Sequence, residues 1–338
     1  MSTPRRHSIR DVARRASVSI ATVSNVLNNP ELVAEATRAR VLAAIAELGF
    51  VPNGPARQLR AGRAQAVGVV VLDLANPFFT EVVRGVEDRV TEADGLVIVC
   101  SSDDNPSREA RHLRMLEQQG VRGVLVTPAQ ASLDVLSDIR SRGTPVVLLD
   151  HTADDMCAVA VDDVRGGELA AAHLLELGHR RIAFLNGPDT IRQCADRRRG
   201  IHRAIQQAGL DPQECLLEVT LPALNADAGE ASLNQLLAHR RPPTAIACVN
   251  DVVALGVLRG LRRRGMTVPD DIAVTGYDDV EFAGMLSTPL TSVRQPKYQL
   301  GHTAADLLLT ESTEGTTHEH RQILFQPELV VRASSVVS

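Results

Sequence analysis

From Ala66 onward the chain repeats one unit: a short apolar run, then a segment whose apolar residues recur at helical spacing. "AVGVVVLDL" (66–74) opens the series as a buried strand. The spacing then predicts a helix over 77–93, strand 96–100, helix 107–119, strand 122–127, helix 132–142 and strand 145–150. A second series starts with a strand near Ala158 and continues with helix 165–178, strand 181–185, helix 193–208, strand 215–220, helix 227–239, strand 244–248, helix 251–264 and strand 271–275. Continuous apolar strands alternating with helices call for parallel sheets covered on both faces. Two series predict two doubly wound lobes, and ligands of such sheets sit beyond the carboxyl ends of the strands. With two lobes facing each other, that place is a cleft.

The first fifty residues follow a different rule and read as all helical. Ser8 caps a helix through about Ala16, with Asp11 three residues on in a capping-box position. Ser17-Val18 make a tight turn, Ser19 caps a second helix, and Asn28-Asn29-Pro30 ends it. A third helix over about 35–48 carries Val41, Leu42, Ile45 and Leu48 on one face and stops at Gly49. Three helices in about fifty residues, two of them joined by a very short turn, form the helix-turn-helix pattern. Residues 51–65, "VPNGPARQLRAGRAQ", read as a flexible linker or as a short hinge helix capped by Asn53, with Pro55 tolerated in its first turn.

Charge divides along the same boundary. Residues 1–64 hold ten arginines and four acids, about +6, whereas the remainder carries 26 basic and 37 acidic residues, or −11. A small basic head on a larger acidic body points to an anionic partner for the head alone. No apolar run approaches the ~20 residues of a membrane span, and no apolar core follows Arg5, Arg6 and Arg10 as a secretory signal requires. Five scattered cysteines (Cys100, Cys157, Cys194, Cys215, Cys248) without a C-x-x-C pair suit reduced thiols in the cytoplasm.

On a helical wheel of the second helix, Val23, Val26 and Leu27 cluster on one side, and Ala21 and Asn25 project the other way. Ile20 falls between the faces, so the wheel leaves it open as a core residue or an exposed one.

In their order and spacing, several motifs resemble the lactose-repressor family of transcription regulators, the group that includes the purine and galactose repressors. They are "IRDVARRASVSIATVSNVLN" (9–28), "TRARVLAAIAELGFVPN" (37–53), "ARQLR" (56–60), "ANPFFTEVVRGVE" (75–87) and "LELGHRRIAFLNGP" (175–188). "RRRGI" (197–201), "NDVVALGVL" (250–258), "VTGYDD" (274–279), "STPLTSVRQP" (287–296) and "LVVRASS" (329–335) complete the set. The resemblance covers essentially the whole chain. It implies an N-terminal all-α helix-turn-helix headpiece (1–52), a hinge helix (53–65), and an α/β core of two doubly wound parallel-sheet lobes like a periplasmic binding protein (66–338). The expected lobe boundaries are 66–162 with 295–322, and 163–294 with 323–338.

The resemblance matches Ile20, Ala21 and Asn25 to the base-reading positions of the family. An apolar pair can touch a thymine methyl, and asparagine can pair with adenine. It makes Ser19, Thr22, Ser24 and Arg38 phosphate contacts, which set register rather than sequence. Leu59 matches the leucine that the family wedges into the minor groove at the operator centre, a step that costs unstacking energy and bends the duplex. Gly54-Pro55 departs from the alanine-rich hinge usual in the family and implies a shorter or less stable hinge helix.

For the cleft, Phe78-Phe79 stand just after the first strand: one stacking on a ligand ring and one packed inward, or both in the core. Asp162 follows a strand and is expected to accept from a ligand hydroxyl or amine. Arg197 aligns with the ligand-contacting arginine of the family, and Gln193 lies one helical turn before it. Asn250, Asp251 and Asp278 match cleft positions, with helix capping as the alternative for Asp251 and Asp278. This mixture suits a sugar, a polyol or a nucleobase.

Other signals carry no chemistry. His318-Glu319-His320 has a metal-like look, but nothing adjacent supplies a third ligand, and it reads as a solvated strand or loop. Asp154-Asp155 and Asp162-Asp163 lack an acid/base partner, "RGG" at 165–167 is not a phosphate loop, and no catalytic set is present, so neither an enzyme nor a cofactor is expected. The core alone would also fit a solute-binding protein; the headpiece and the missing signal favour an effector-controlled repressor bound as a homodimer to a pseudopalindromic operator. No leucine heptad follows "LVVRASS", so a tetramer is not expected.

Overall fold

The computed structural model describes residues 7–50, 66–129, 133–153 and 155–336. The chain separates into two compact units, Met1–Ala64 and Gln65–Ser338.

The first unit holds α1 (Ile9–Ala16), α2 (Ile20–Asn28) and α3 (Glu35–Leu48). Asp11 reaches back to cap α1: its Oδ2 accepts from the Ser8 backbone N–H at 2.9 Å and from the Ser8 hydroxyl at 2.7 Å. Ser17, in left-handed backbone at φ 55°, ends α1, and Val18 N–H returns to Ala13 O at 3.0 Å. Two residues later α2 begins on Ser19, whose hydroxyl accepts from Thr22 N–H at 3.0 Å. The core is small: Val12, Ala13, Ala16, Val23, Val26, Val41 and Ala44, ringed by Ile9, Leu27, Ile45, Leu48 and Phe50. These are the apolar positions of three amphipathic helices, and their burial against one another holds the unit together. The hinge expected at 53–65 lies outside the described residues.

The second unit contains two six-stranded sheets. The first is built from β1 (Ala66–Val71), β2 (Leu96–Ser101), β3 (Gly123–Val126), β4 (Val146–Leu149), β5 (Cys157–Val161) and β11 (Gln322–Phe325), in the order β11-β5-β4-β3-β1-β2. All five of its pairings are parallel. Its helices are α4 (Pro77–Thr91), α5 (Pro106–Gln118), α6 (Leu133–Ser141) and α12 (Lys297–Glu314). The second sheet has β6 (Ile182–Asn186), β7 (Leu216–Thr220), β8 (Ala245–Cys248), β9 (Ala273–Asp278), β10 (Thr291–Arg294) and β12 (Glu328–Val330), in the order β12-β10-β9-β8-β6-β7. It is parallel except for β12, which runs antiparallel to β10. Its helices are α7 (Asp163–Glu176), α8 (Arg192–Gln207), α9 (Pro212–Cys215), α10 (Ala226–Leu237) and α11 (Asp251–Arg263).

Apolar strands sandwiched by helices give each lobe its own core, centred on Val67, Val69, Leu125 and Leu148 in one and on Ile182, Phe184, Ile246 and Val274 in the other. The chain crosses between the lobes three times: at Asp162, at Gln295-Pro296 and between β11 and β12. The last crossing corrects the expected boundary at 322/323. Gln322 to Phe325 pair in register with Ala158 to Val161, so all of β11 belongs to the first lobe.

Candidate functional site

In the first unit, α2 turns Val23 and Val26 into the core and leaves Ala21 and Asn25 exposed. Ile20 is 41% exposed, so the small core does not enclose it. Ser19 and Thr22 occupy each other: beyond the cap, their hydroxyls lie 2.9 Å apart. The helix "IATVSNVLN" bears no charged side chain, so its amino end presents the bare positive pole of the backbone. Arg38 stands in the first turn of α3, with its guanidinium 3.8 Å from Glu35. Asn53 and Leu59 lie outside the described residues.

In the second unit, charged groups gather where the carboxyl ends of the two sheets meet. α7 and α8 cross so closely that a Cβ on Gly167 would lie 2.2 Å from the Arg197 carbonyl oxygen, and α7 lies so near β9 that one on Gly166 would lie 2.0 Å from the Tyr277 hydroxyl. This crossing seats Arg197. Its Nε donates to Asp163 Oδ1 at 2.8 Å and its Nη1 to the Val249 carbonyl at 2.7 Å. Its guanidinium carbon lies 3.6 Å from the centroid of the Tyr277 ring, a cation–π arrangement. The Tyr277 hydroxyl donates to the same Asp163 Oδ1 at 2.8 Å.

Among the hydrogen bonds that cross between the lobes, two join side chains of this cluster, beside those from Arg192 to the Thr152 carbonyl and from Lys297 to the Asp278 and Asp279 carbonyls. Gln193 Nε2 on α8 donates to the Asp150 carbonyl at 2.7 Å and to its Oδ2 at 3.0 Å. Asn76 Nδ2, at the start of α4, donates to Asp278 Oδ2 at 3.2 Å. Gln295, on the second crossing, donates to Asp278 Oδ1 at 2.7 Å. Asp150 and Asp278 both have left-handed backbone, φ 52° and 103°, which aspartate tolerates better than most residues. Asp150 Oδ1, Asn186 Oδ1 and Gln295 Oε1 are among the buried oxygens that find no hydrogen-bond partner among the described residues.

The electrostatics follow from Arg197 among three carboxylates, with Lys297, whose Nζ donates to the Asp278 carbonyl at 2.8 Å, as a second cation beside Asp278. Burial, then the neighbouring Asp163 carboxylate, raise Asp150 to about 7 against the pull of Arg197. Burial raises Asp278 to about 6, although Arg197, Asn76 and Gln295 favour its charged form. Burial also raises Asp163. For Arg197 burial opposes the charge, but Asp163 above all outweighs it and keeps the guanidinium protonated.

Residues 8–53 match the family described as bacterial regulatory proteins, lacI family, and residues 171–335 match the periplasmic binding protein-like domain. The chain is 35% identical over 330 residues to the HTH-type transcriptional repressor PurR of Photobacterium profundum, covering 97% of this chain and 98% of that protein. It is 35% identical over 336 residues to the HTH-type transcriptional regulator DegA of Bacillus subtilis, with the same coverages. The chain belongs to the lacI family. Among solved structures, the lac repressor dimer bound to operator and the anti-inducer ONPF superposes with a TM-score of 0.84 at 29% identity, covering 98% of this chain and all of that one. The transcriptional regulator CelR–cellobiose complex gives 0.71 at 31% identity, with the same coverages. The protein is therefore a DNA-binding transcription regulator, from a family of regulators rather than enzymes.

Of the cleft residues expected in this lacI-family chain, Gln193, Arg197 and Asp278 enter the cluster. The others do different work. Asp162 caps α7, its Oδ1 accepting from Arg165 N–H at 2.9 Å. Its neighbour Asp163, one residue into the helix, reaches the cluster instead. Asn250 caps α11 by accepting from Val253 N–H at 2.8 Å. Asp251 has both oxygens engaged, by the Ser292 hydroxyl at 2.6 Å and Val280 N–H at 2.9 Å, and so fastens the loop after β9. Phe78 and Phe79 are both buried, edge-to-face with ring centroids 5.0 Å apart, in a core that also takes in Val280. Sequence reasoning missed Asp150, Asp163, Tyr277 and Asn76. The signal for Asp150 and Tyr277 was their place at strand ends; for Asn76 it was the cap of the helix that follows β1.

Proposed function

We propose that this lacI-family regulator acts in the cytoplasm as a homodimeric repressor on a pseudopalindromic operator, and that a small uncharged polar effector between the lobes controls it. In this reading residues 1–52 form the headpiece, 53–65 the hinge and 66–338 the core. Helix α2 lies in the major groove, with Ile20, Ala21 and Asn25 on base edges and Ser19, Thr22, Ser24 and Arg38 on phosphates. Leu59 is the minor-groove wedge at the centre of the dimer. No helix of the described residues is long and apolar enough to cross a membrane. The operator and dimer arrangement are supported by the solved lac repressor dimer, and an effector by the cellobiose bound to CelR.

The observation that carries the effector reading is the buried cluster itself. Gln193–Asp150 and Asn76–Asp278 join the lobes through polar bonds that a ligand can replace. The single guanidinium is already held by Asp163, which leaves two further carboxyl groups, raised to about 7 and 6. Such a cleft disfavours phosphates and carboxylates and suits hydroxyl or N–H donors. That is the chemistry of a free sugar, a polyol or a nucleobase. A ligand that binds one lobe arrangement better than the other shifts the population, and with it the operator affinity.

A thermal-shift screen tests this reading. Neutral sugars, polyols and nucleobases should include a compound that raises the midpoint, because a ligand of the folded state stabilises it. A rise with sugar phosphates alone would refute the neutral-ligand assignment.

A further inference from the structure

The expectation that His318 and His320 lack a third ligand fails in the folded chain. Cys157, Glu311, His318 and His320 each bring one donor atom into a group in which all lie within 4.8 Å of one another. They come from three separate places: the first residue of β5, the last turns of α12, and the connection from α12 to β11. Cys157 Sγ lies 3.1 Å from His318 Nε2 and 3.7 Å from His320 Nδ1. Donors around a tetrahedral zinc ion, with Zn–S of about 2.3 Å and Zn–N of about 2.05 Å, stand about 3.5 Å apart. The set is therefore nearly at ligating spacing before any ion arrives.

Two further features point to a cation. Glu311 is only 6% exposed, and its buried Oε2 has no hydrogen-bond partner. A buried, unsatisfied carboxylate oxygen is costly, and a metal ion would satisfy it. His318, whose side chain is 2% exposed, holds its Nδ1 2.6 Å from Glu314 Oε2. With Nδ1–H donated to that carboxylate, the Nε2 lone pair faces Cys157 Sγ. A carboxylate that fixes the tautomer of a histidine is the usual outer support of a zinc ligand.

We propose that Cys157, Glu311, His318 and His320 form a binding site for a divalent transition metal of the zinc class. One thiolate, two imidazoles and one carboxylate select zinc, or its analogue cobalt, over magnesium and calcium. Binding displaces the thiol proton to solvent, since the thiolate is the ligand. The site lies at the amino end of β5, about 13 Å along the strand from the end that faces the effector cleft, so it is a different site. The ion would tie the start of β5 to the end of α12 and to the approach of β11.

His320 is the ligand with a competitor. Its Nε2 accepts from Arg140 Nη2 at 2.8 Å, which places the imidazole proton on Nδ1, the atom turned to Cys157. Coordination through Nδ1 requires that bond to Arg140 to break. His320 is also exposed, so its contribution is the smallest of the four.

The test uses the full chain, stripped with chelator and titrated with Co2+ and then Zn2+. One Co2+ per chain should bind, with the visible bands of tetrahedral cobalt and the intense near-ultraviolet absorption of a cobalt–thiolate bond, and Zn2+ should bleach both. Cys157→Ala should lose the thiolate absorption. Glu314→Gln should weaken binding by about 10–100-fold, His320→Ala should weaken it less than His318→Ala, and Arg140→Gln should tighten it. Thermal midpoints without metal show that each variant is folded, and Zn2+ should raise the midpoint of the wild type but not of Cys157→Ala. Absence of a thiolate–cobalt band in the wild type overturns the proposal. So does a band that survives both Cys157→Ala and His318→Ala.

Discussion

Arg197 and Tyr277 converge on one oxygen atom. The guanidinium lies 3.6 Å from the centroid of the phenol ring, and both side chains donate to Asp163 Oδ1 at 2.8 Å. The pair turns a buried ion pair into a satisfied network, which is the condition for keeping charge inside a core.

Removing the cation should therefore be costly to stability itself. Arg197→Ala leaves Asp163 buried without its counter-charge, and should destabilise the core by about 3–5 kcal/mol. Adding Asp163→Asn removes the orphaned charge and should recover part of that loss. Denaturant unfolding of the two singles and the double checks this; additive losses would show that the residues do not act as a pair.

The pH dependence has a defined sign. Folded Asp150 ionises near pH 7 and unfolded aspartate near 3.8, so the folded state binds the extra proton between them. The stability this provides is complete below pH 3.8 and is lost as pH rises through 7; Asp278 does the same through about 6. Asp150→Asn removes that dependence. At about 1.36 kcal/mol per pKa unit, it should stabilise the ligand-free core by on the order of 4 kcal/mol at pH 8 and by less than half of that at pH 5. Thermal midpoints across this range read the difference, and a larger gain at pH 5 than at pH 8 would reverse the assignment.

The lobes were legible because a strand buried on both faces is apolar throughout, and a helix between two such strands has a periodic face. β11 was not: four residues, only partly buried, placed just before "ELV", look like the beginning of the next strand. In the cleft, adjacent residues were separable only by geometry. Asp162 and Asp163 are chemically identical in the sequence, yet one caps the helix and its neighbour, about 100° further round, points at Arg197. Asp150 ends a strand without a motif of its own, and only the other lobe gives it a partner, Gln193. The cysteine and the glutamate that join His318 and His320 lie 161 and 7 residues upstream of His318, and only the fold brings them together.

In the headpiece, Val23 and Asn25 should separate stability from recognition. Val23 is fully buried, and Val23→Ala should cost about 1–3 kcal/mol of headpiece stability and weaken every DNA sequence alike. Asn25→Ala should leave the fold intact and reduce discrimination by about 1–3 kcal/mol at one operator position. Ile20→Ser should behave like Asn25→Ala, because Ile20 is 41% exposed. Operator variants titrated at one fixed salt concentration distinguish the two classes; a uniform loss with Ile20→Ser would return that residue to the core.

The close crossing of α7 and α8 gives a further expectation. A methyl group on Gly167 meets the Arg197 carbonyl oxygen at 2.2 Å, so Gly167→Ala must push the helices apart. It should cost about 1–3 kcal/mol and displace Arg197 from Asp163. Its effect on ligand-induced thermal shifts should exceed that of an alanine at exposed Gln206.

The central claim, that a ligand between the lobes governs operator binding, is tested most directly by one titration. The full-length wild type and Arg197→Gln are titrated onto operator at fixed salt, with and without the neutral compound that raises the wild-type midpoint. The wild-type affinity should change by about 5–150-fold, while Arg197→Gln should bind operator but not respond. An unchanged wild-type affinity at saturating ligand, or an equal response in Arg197→Gln, would contradict the account.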